Sequence, residues 1–124
     1  MKRIVAIAIF TIATVFTAWT FEVFARELSE AEKSIISEAV LDSLKDPESA
    51  RFAWPPHRDG SDLYCGYVNA KNSFGGYVGD AKFSAFVVLI DGEIKISQLI
   101  GFATGNPSDP ASRAVEVACA KEGY

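Results

Sequence analysis

Apolar and polar positions recur along this chain with two periods, and the switches between them mark its elements. Residues 4–21 are uncharged and mostly apolar. Beyond them Ile35, Ile36, Ala39, Val40 and Leu44 recur at helical spacing, with Glu30, Lys33, Glu38, Asp42 and Lys45 mostly on the other face. Ser29 and Glu32 fit a capping box, in which each side chain satisfies the other's backbone N–H, and Leu28 is placed to act as a hydrophobic staple. Asp46-Pro47 ends this helix, with Asp46 capping a short turn and Pro47 at its first position. Phe52 and Trp54 add apolar bulk before a loop marked by Pro55-Pro56 and Asp59-Gly60.

From Leu63 the pattern becomes strand-like, Tyr64 and Val68 alternating with Cys65 and Tyr67. Residues 69–72 read as a turn and residues 73–78 as a further strand, with Gly75-Gly76 marking a bulge or a close backbone approach. Residues 83–90 are the most apolar run after the leader. Phe83, Ala85, Val87 and Leu89 point one way and Phe86, Val88 and Ile90 the other, which predicts a central strand. Asp91-Gly92 is a two-residue hairpin turn, and residues 93–100 return with Ile94 and Ile96 on one face. After a loop over residues 101–109, Asp109 caps a last helix that starts with Pro110. Ala111, Ala114, Val115, Ala118 and Cys119 share its apolar face. The expected fold is α+β: an N-terminal helix, a small antiparallel sheet of three to five strands, and a C-terminal helix.

The N-terminal run changes the picture of where this domain resides. Met1-Lys2-Arg3 is a positive start, residues 4–21 form an apolar stretch, and Val23 and Ala25 stand where a signal peptidase takes small or aliphatic side chains. The layout predicts a signal peptide over residues 1–25 and one small domain over residues 26–124, lying outside the cytoplasm in the periplasm or beyond. An uncleaved anchor is the alternative. The 18-residue apolar run is just short of the ~20 residues that span a bilayer.

Charge then narrows the partners. The chain has 12 basic and 16 acidic residues; losing Lys2, Arg3 and Glu22 leaves 10 and 15, a net charge of −5. Without a cluster of Lys or Arg, binding to nucleic acid or to an anionic lipid surface is disfavoured. Both cysteines, Cys65 and Cys119, fall after the leader. An even count in an exported chain reads as a disulfide, here tying the last helix to the strand at Cys65; two buried free thiols are the alternative.

Catalytic constellations are scarce. His57, the one histidine, sits in a Pro-rich, charged loop and reads as a solvated side chain. No nucleophile motif such as G-x-S-x-G accompanies it. One histidine, two paired cysteines and scattered carboxylates do not make a zinc set. Asp59 and Asp62 lack the ligand series of a calcium loop. The glycines at 75, 76 and 79 do not lead into a phosphate-binding helix. No catalytic residue, metal or cofactor is therefore assigned.

One segment is different. Residues 64–79 concentrate three tyrosines, two asparagines, a lysine, a phenylalanine and four glycines. Tyrosine offers contact area at low entropy cost and asparagine adds hydrogen bonds, so Asn69, Lys71, Asn72 and Tyr77 are the candidate binding surface. The competing reading is structural: Asn69 and Asn72 as turn formers, Gly75 and Gly76 as a bulge, and Tyr64, Phe74 and Tyr77 as core.

The run Cys65-Gly66-x-Val68-Asn69-x-Lys71-Asn72-x-x-Gly75-Gly76-Tyr77-x-Gly79, with Lys45-Asp46-Pro47-Glu48-Ser49-Ala50-x-Phe52 upstream, covers about a quarter of the chain. It resembles a motif of small exported proteins and lipoproteins from proteobacteria and their phages. The resemblance implies an exported compartment and a shared fold, and no activity. This chain lacks the cysteine to which the lipoprotein members attach lipid. The leading expectation is a non-enzymatic exported module that binds a protein or another envelope component. The alternatives are an inhibitor of a cell-wall lytic enzyme or protease, and a small hydrolase with a carboxylate-based site.

Overall fold

A computed structural model describes residues 25–71, 75–76 and 79–124; apart from Ala25, the predicted leader lies outside them. The order is strand β1 (Ala25–Arg26), helix α1 (Glu30–Leu41), a 3-10 turn (Pro47–Ser49), strands β2 (Arg51–Ala53), β3 (His57–Arg58), β4 (Leu63–Asn69), β5 (Ala81–Ile90) and β6 (Glu93–Ala103), and helix α2 (Pro110–Lys121). Strands β2, β4, β5 and β6 form an antiparallel sheet in that spatial order, and β1 pairs with β3 in a separate antiparallel ribbon. This is the α+β arrangement expected from the pattern.

Strand alternation divides the core in two, because neighbouring side chains leave a sheet on opposite faces. Tyr64, Val68, Phe83, Ala85, Val87 and Ile94 meet Leu28, Ile36 and Val40 from the α1 side. On the other face Cys65 and Ala103 meet Val115 and Cys119 of α2. The Cys65–Cys119 disulfide, with Cα atoms 6.0 Å apart, fastens α2 to the sheet.

The α1 core is largely aromatic. Phe52 and Trp54 stack with centroids 4.8 Å apart, and both meet the edge of Phe83. Tyr64 packs on Phe83 and Tyr124 and donates its hydroxyl to the Pro55 carbonyl at 2.7 Å. Gly66 makes room for this cluster: a Cβ there would lie 2.6 Å from Phe83 Cζ and 2.8 Å from Cε1. Gly66→Ala is therefore expected to lower stability by roughly 1–3 kcal/mol through overpacking, read as a fall in the urea midpoint at unchanged slope. An unchanged midpoint would mean that the Phe83 ring relaxes freely.

The N-terminal ribbon is locked by an ion pair between the partly exposed Arg26 and the buried Glu32. The capping box between Ser29 and Glu32 is present as expected. Glu32 also receives both Arg26 Nη atoms at 2.7 and 2.6 Å and the Ile94 N–H at 2.9 Å, while Arg26 Nη2 donates to the Gly92 carbonyl. One carboxylate thus joins β1, α1 and the β5–β6 hairpin. The Arg26 hydrogen bonds, with the Ile94 and Ser29 N–H groups, hold the Glu32 carboxyl far below the usual carboxylate range, against the opposing effect of burial.

Several local expectations need correction. Helix α1 stops at Leu41 rather than running on to the Asp46-Pro47 boundary, and Leu44 reaches the core from the following turn. Asp46 precedes the 3-10 turn without a side-chain cap. Strand β4 continues through Asn69, and Gly75 and Gly76 lie outside any strand; the rest of the strand expected over 73–78 falls outside the described residues. Strand β5 is interior, yet its second face is partly open: Phe86 is 43 % and Ile90 52 % exposed. Ile94 and Ile96 do not share a face. Leu89 pairs with Ile94 and Val88 with Ile96, leaving Lys95 in a bulge, so Ile94 is 1 % and Ile96 57 % exposed. In α2 the buried positions are Ser112, Val115 and Cys119, while Ala111 and Ala114 are exposed.

Candidate functional site

The site predicted from residues 64–79 begins where β4 leaves the sheet. Asn69 pairs with Arg51 at the strand end, and its Oδ1 accepts the Gly79 N–H at 3.1 Å. It therefore joins the two ends of the connection from β4 to β5. The Lys71 N–H donates to Ser49 Oγ at 2.9 Å, and that hydroxyl donates to the Asp46 carbonyl at 2.8 Å. This relay ties the 46–49 segment to the end of β4: Asp46 and Ser49 hold the backbone of Lys71. Asn72 and Tyr77 lie outside the described residues. Tyr64 belongs to the core.

A groove of about 460 Å³ opens beside Lys71. Its apolar lining comes from Leu44 in the turn after α1, Val68 and Ala70 at the end of β4, Ala81 at the start of β5, and Phe102 near the end of β6. The register explains the gathering, since Val68 pairs with Ala81 and Phe83 with Phe102. Because α1 ends at Leu41, it leaves this end of the sheet open, and residues 43–45 form one bank. The volume lies within the roughly 300–1,000 Å³ usual for small-molecule sites.

Lys45 and Lys71 are the charged residues lining this groove among the described residues, and no carboxylate joins them there. Lys71 was singled out from the sequence. Lys45 was missed, because its spacing placed it with the solvated face of a longer helix. Ala81, Phe102 and Thr104 carried no sequence signal, since only strand register brings them together.

His57 is not solvated as its loop composition implied. It is 1 % exposed, lies in β3 opposite Arg26 in the N-terminal ribbon, and stacks on Tyr64. Its Nε2 lies 3.0 Å from the Ser61 carbonyl and donates to it. The Ser61 hydroxyl instead donates to Glu122 Oε2 at 2.7 Å and accepts the Leu63 N–H. Histidine and hydroxyl are therefore not joined as base and nucleophile. Among the described residues no cluster of His, Cys, Asp and Glu has the makings of a metal site, and no helix is long and apolar enough to cross a membrane. No protein-family model, curated protein or solved structure matches the chain.

Proposed function

We propose that the protein is a non-enzymatic, exported binding module whose ligand surface is the groove between the end of α1 and the β4–β5–β6 sheet. The observation that carries this reading is the groove itself: an apolar floor with lysines on its banks, beside the anchored Asn69–Lys71 segment. The disulfide is compatible with an oxidising compartment outside the cytoplasm. The signal-like N-terminus and the resemblance to exported proteins support the same location.

Photo-crosslinking in cells tests the reading. A crosslinking residue at Thr104, on the groove rim, is compared with one at Gln98, exposed on β6 and paired with Phe86. The expected result is a species captured from Thr104 and not from Gln98. No capture from Thr104, or the same capture from both positions, would remove the groove as the binding surface.

A further inference from the structure

Resting on that reading, we infer that the groove takes a single aliphatic chain carrying an anionic head, with the chain on the floor of Leu44, Val68, Ala81 and Phe102 and the head at Lys45 and Lys71. The argument is charge complementarity on an apolar surface. The chain carries a net charge of −4, yet the charges lining the groove among the described residues are both positive and come from separate segments, one after α1 and one after β4.

Two other hollows among the described residues lack this combination. The one between α1 and the 47–54 segment, beside Phe52 and Trp54, includes Glu30 and Lys33, which neutralise each other at 2.9 Å. The one bearing Arg113 and Lys121 is lined by α2 alone and has no second wall. Elsewhere on the surface Lys82 pairs with Glu116 and Lys95 with Glu93. Lys45 has no ion-pair partner among the described residues. A cationic head would be repelled by the two lysines that line the groove, whereas a carboxylate or phosphate would meet opposite charge at the edge of an apolar floor.

The experiment is calorimetric titration of the purified protein with decanoate, decyl phosphate and decyltrimethylammonium below their micelle concentrations. Amide NMR shifts locate the site. At least one anionic amphiphile should bind ten-fold or more tightly than the ammonium compound, with shifts at Ala70, Ala81 and Thr104. The ratio of carboxylate to phosphate affinity distinguishes the two kinds of head. Lys45→Gln with Lys71→Gln should erase the preference for anions. Lys45→Gln alone, at an exposed residue, should reduce it and serves if the double variant unfolds. Thr104→Trp should block binding of every amphiphile. Equal binding of the ammonium compound, or shifts elsewhere on the protein, would overturn the inference. If no amphiphile binds while Thr104 still captures a partner in cells, the ligand class is wrong and the binding module stands. If both fail, both proposals fall.

Discussion

Replacing both Cys65 and Cys119 with alanine is expected to lower the unfolding free energy by about 4 kcal/mol in the chain-entropy description of a cross-link. The bridge joins residues 54 positions apart, so the unfolded chain gains much freedom without it. The effect is large against the roughly 5–15 kcal/mol total of an ordinary small domain. Within the fold it falls mainly on α2. That helix buries Ser112, Val115 and Cys119, and its other ties to the sheet include the Thr104 N–H to Ser112 Oγ bond and the Lys82–Glu116 ion pair. Urea unfolding of the double variant should show the loss. Native-state hydrogen exchange should show α2 opening before the sheet. A loss below about 1 kcal/mol would mean that α2 is held by its packing and that the open chain stays compact.

Glu32→Ala is the second large effect, with an expected cost of about 3 kcal/mol, the lower end for breaking a buried ion pair because Arg26 is partly exposed. The substitution strips the Arg26 guanidinium of its carboxylate, removes half of the capping box, and leaves the Ile94 N–H without an acceptor. It also predicts a pH dependence. The folded carboxyl is held below its ordinary range, so its stabilisation is complete above the unfolded pKa of about 4.3 and is lost as pH falls below it. The difference in unfolding free energy between wild type and Glu32→Ala should therefore be full at pH 7 and narrower at pH 3. A difference that stays constant over this range would show that the charge of Glu32 is not what stabilises the ribbon.

Features set by neighbouring residues were legible in the sequence. Ser29 and Glu32 cap α1 as their spacing required, Asp91-Gly92 turns the hairpin with both residues at positive φ, and Asp109 caps α2. The cysteine pair was legible from the even count behind a signal-like N-terminus. What escaped depends on contacts distant in sequence. Nothing local to His57 announces its burial, because Tyr64 and the ribbon around it are brought there by the fold. The bulge at Lys95 breaks the period of two between Ile94 and Ile96 without any glycine to mark it. For the site, half the charge was visible. Lys71 stood out in a dense polar motif, whereas Lys45 acquires meaning only because α1 ends at Leu41 and opens the sheet beside it.

The irregular register of β6 bears on how this protein behaves when crowded. Strand β6 lies at the sheet edge, where free backbone groups can recruit another copy of the chain into a growing fibre. Ile96 and Ile100 are exposed along that edge, an aggregation hazard on a flat strand. The irregularities between Ser84 and Ala85 and between Val88 and Leu89 leave only residues 96–99 of β6 in unbroken register between them. A docking strand would have to bend twice to follow it. The two bends thus set against the exposed isoleucines a backbone edge that a flat strand cannot follow along its length.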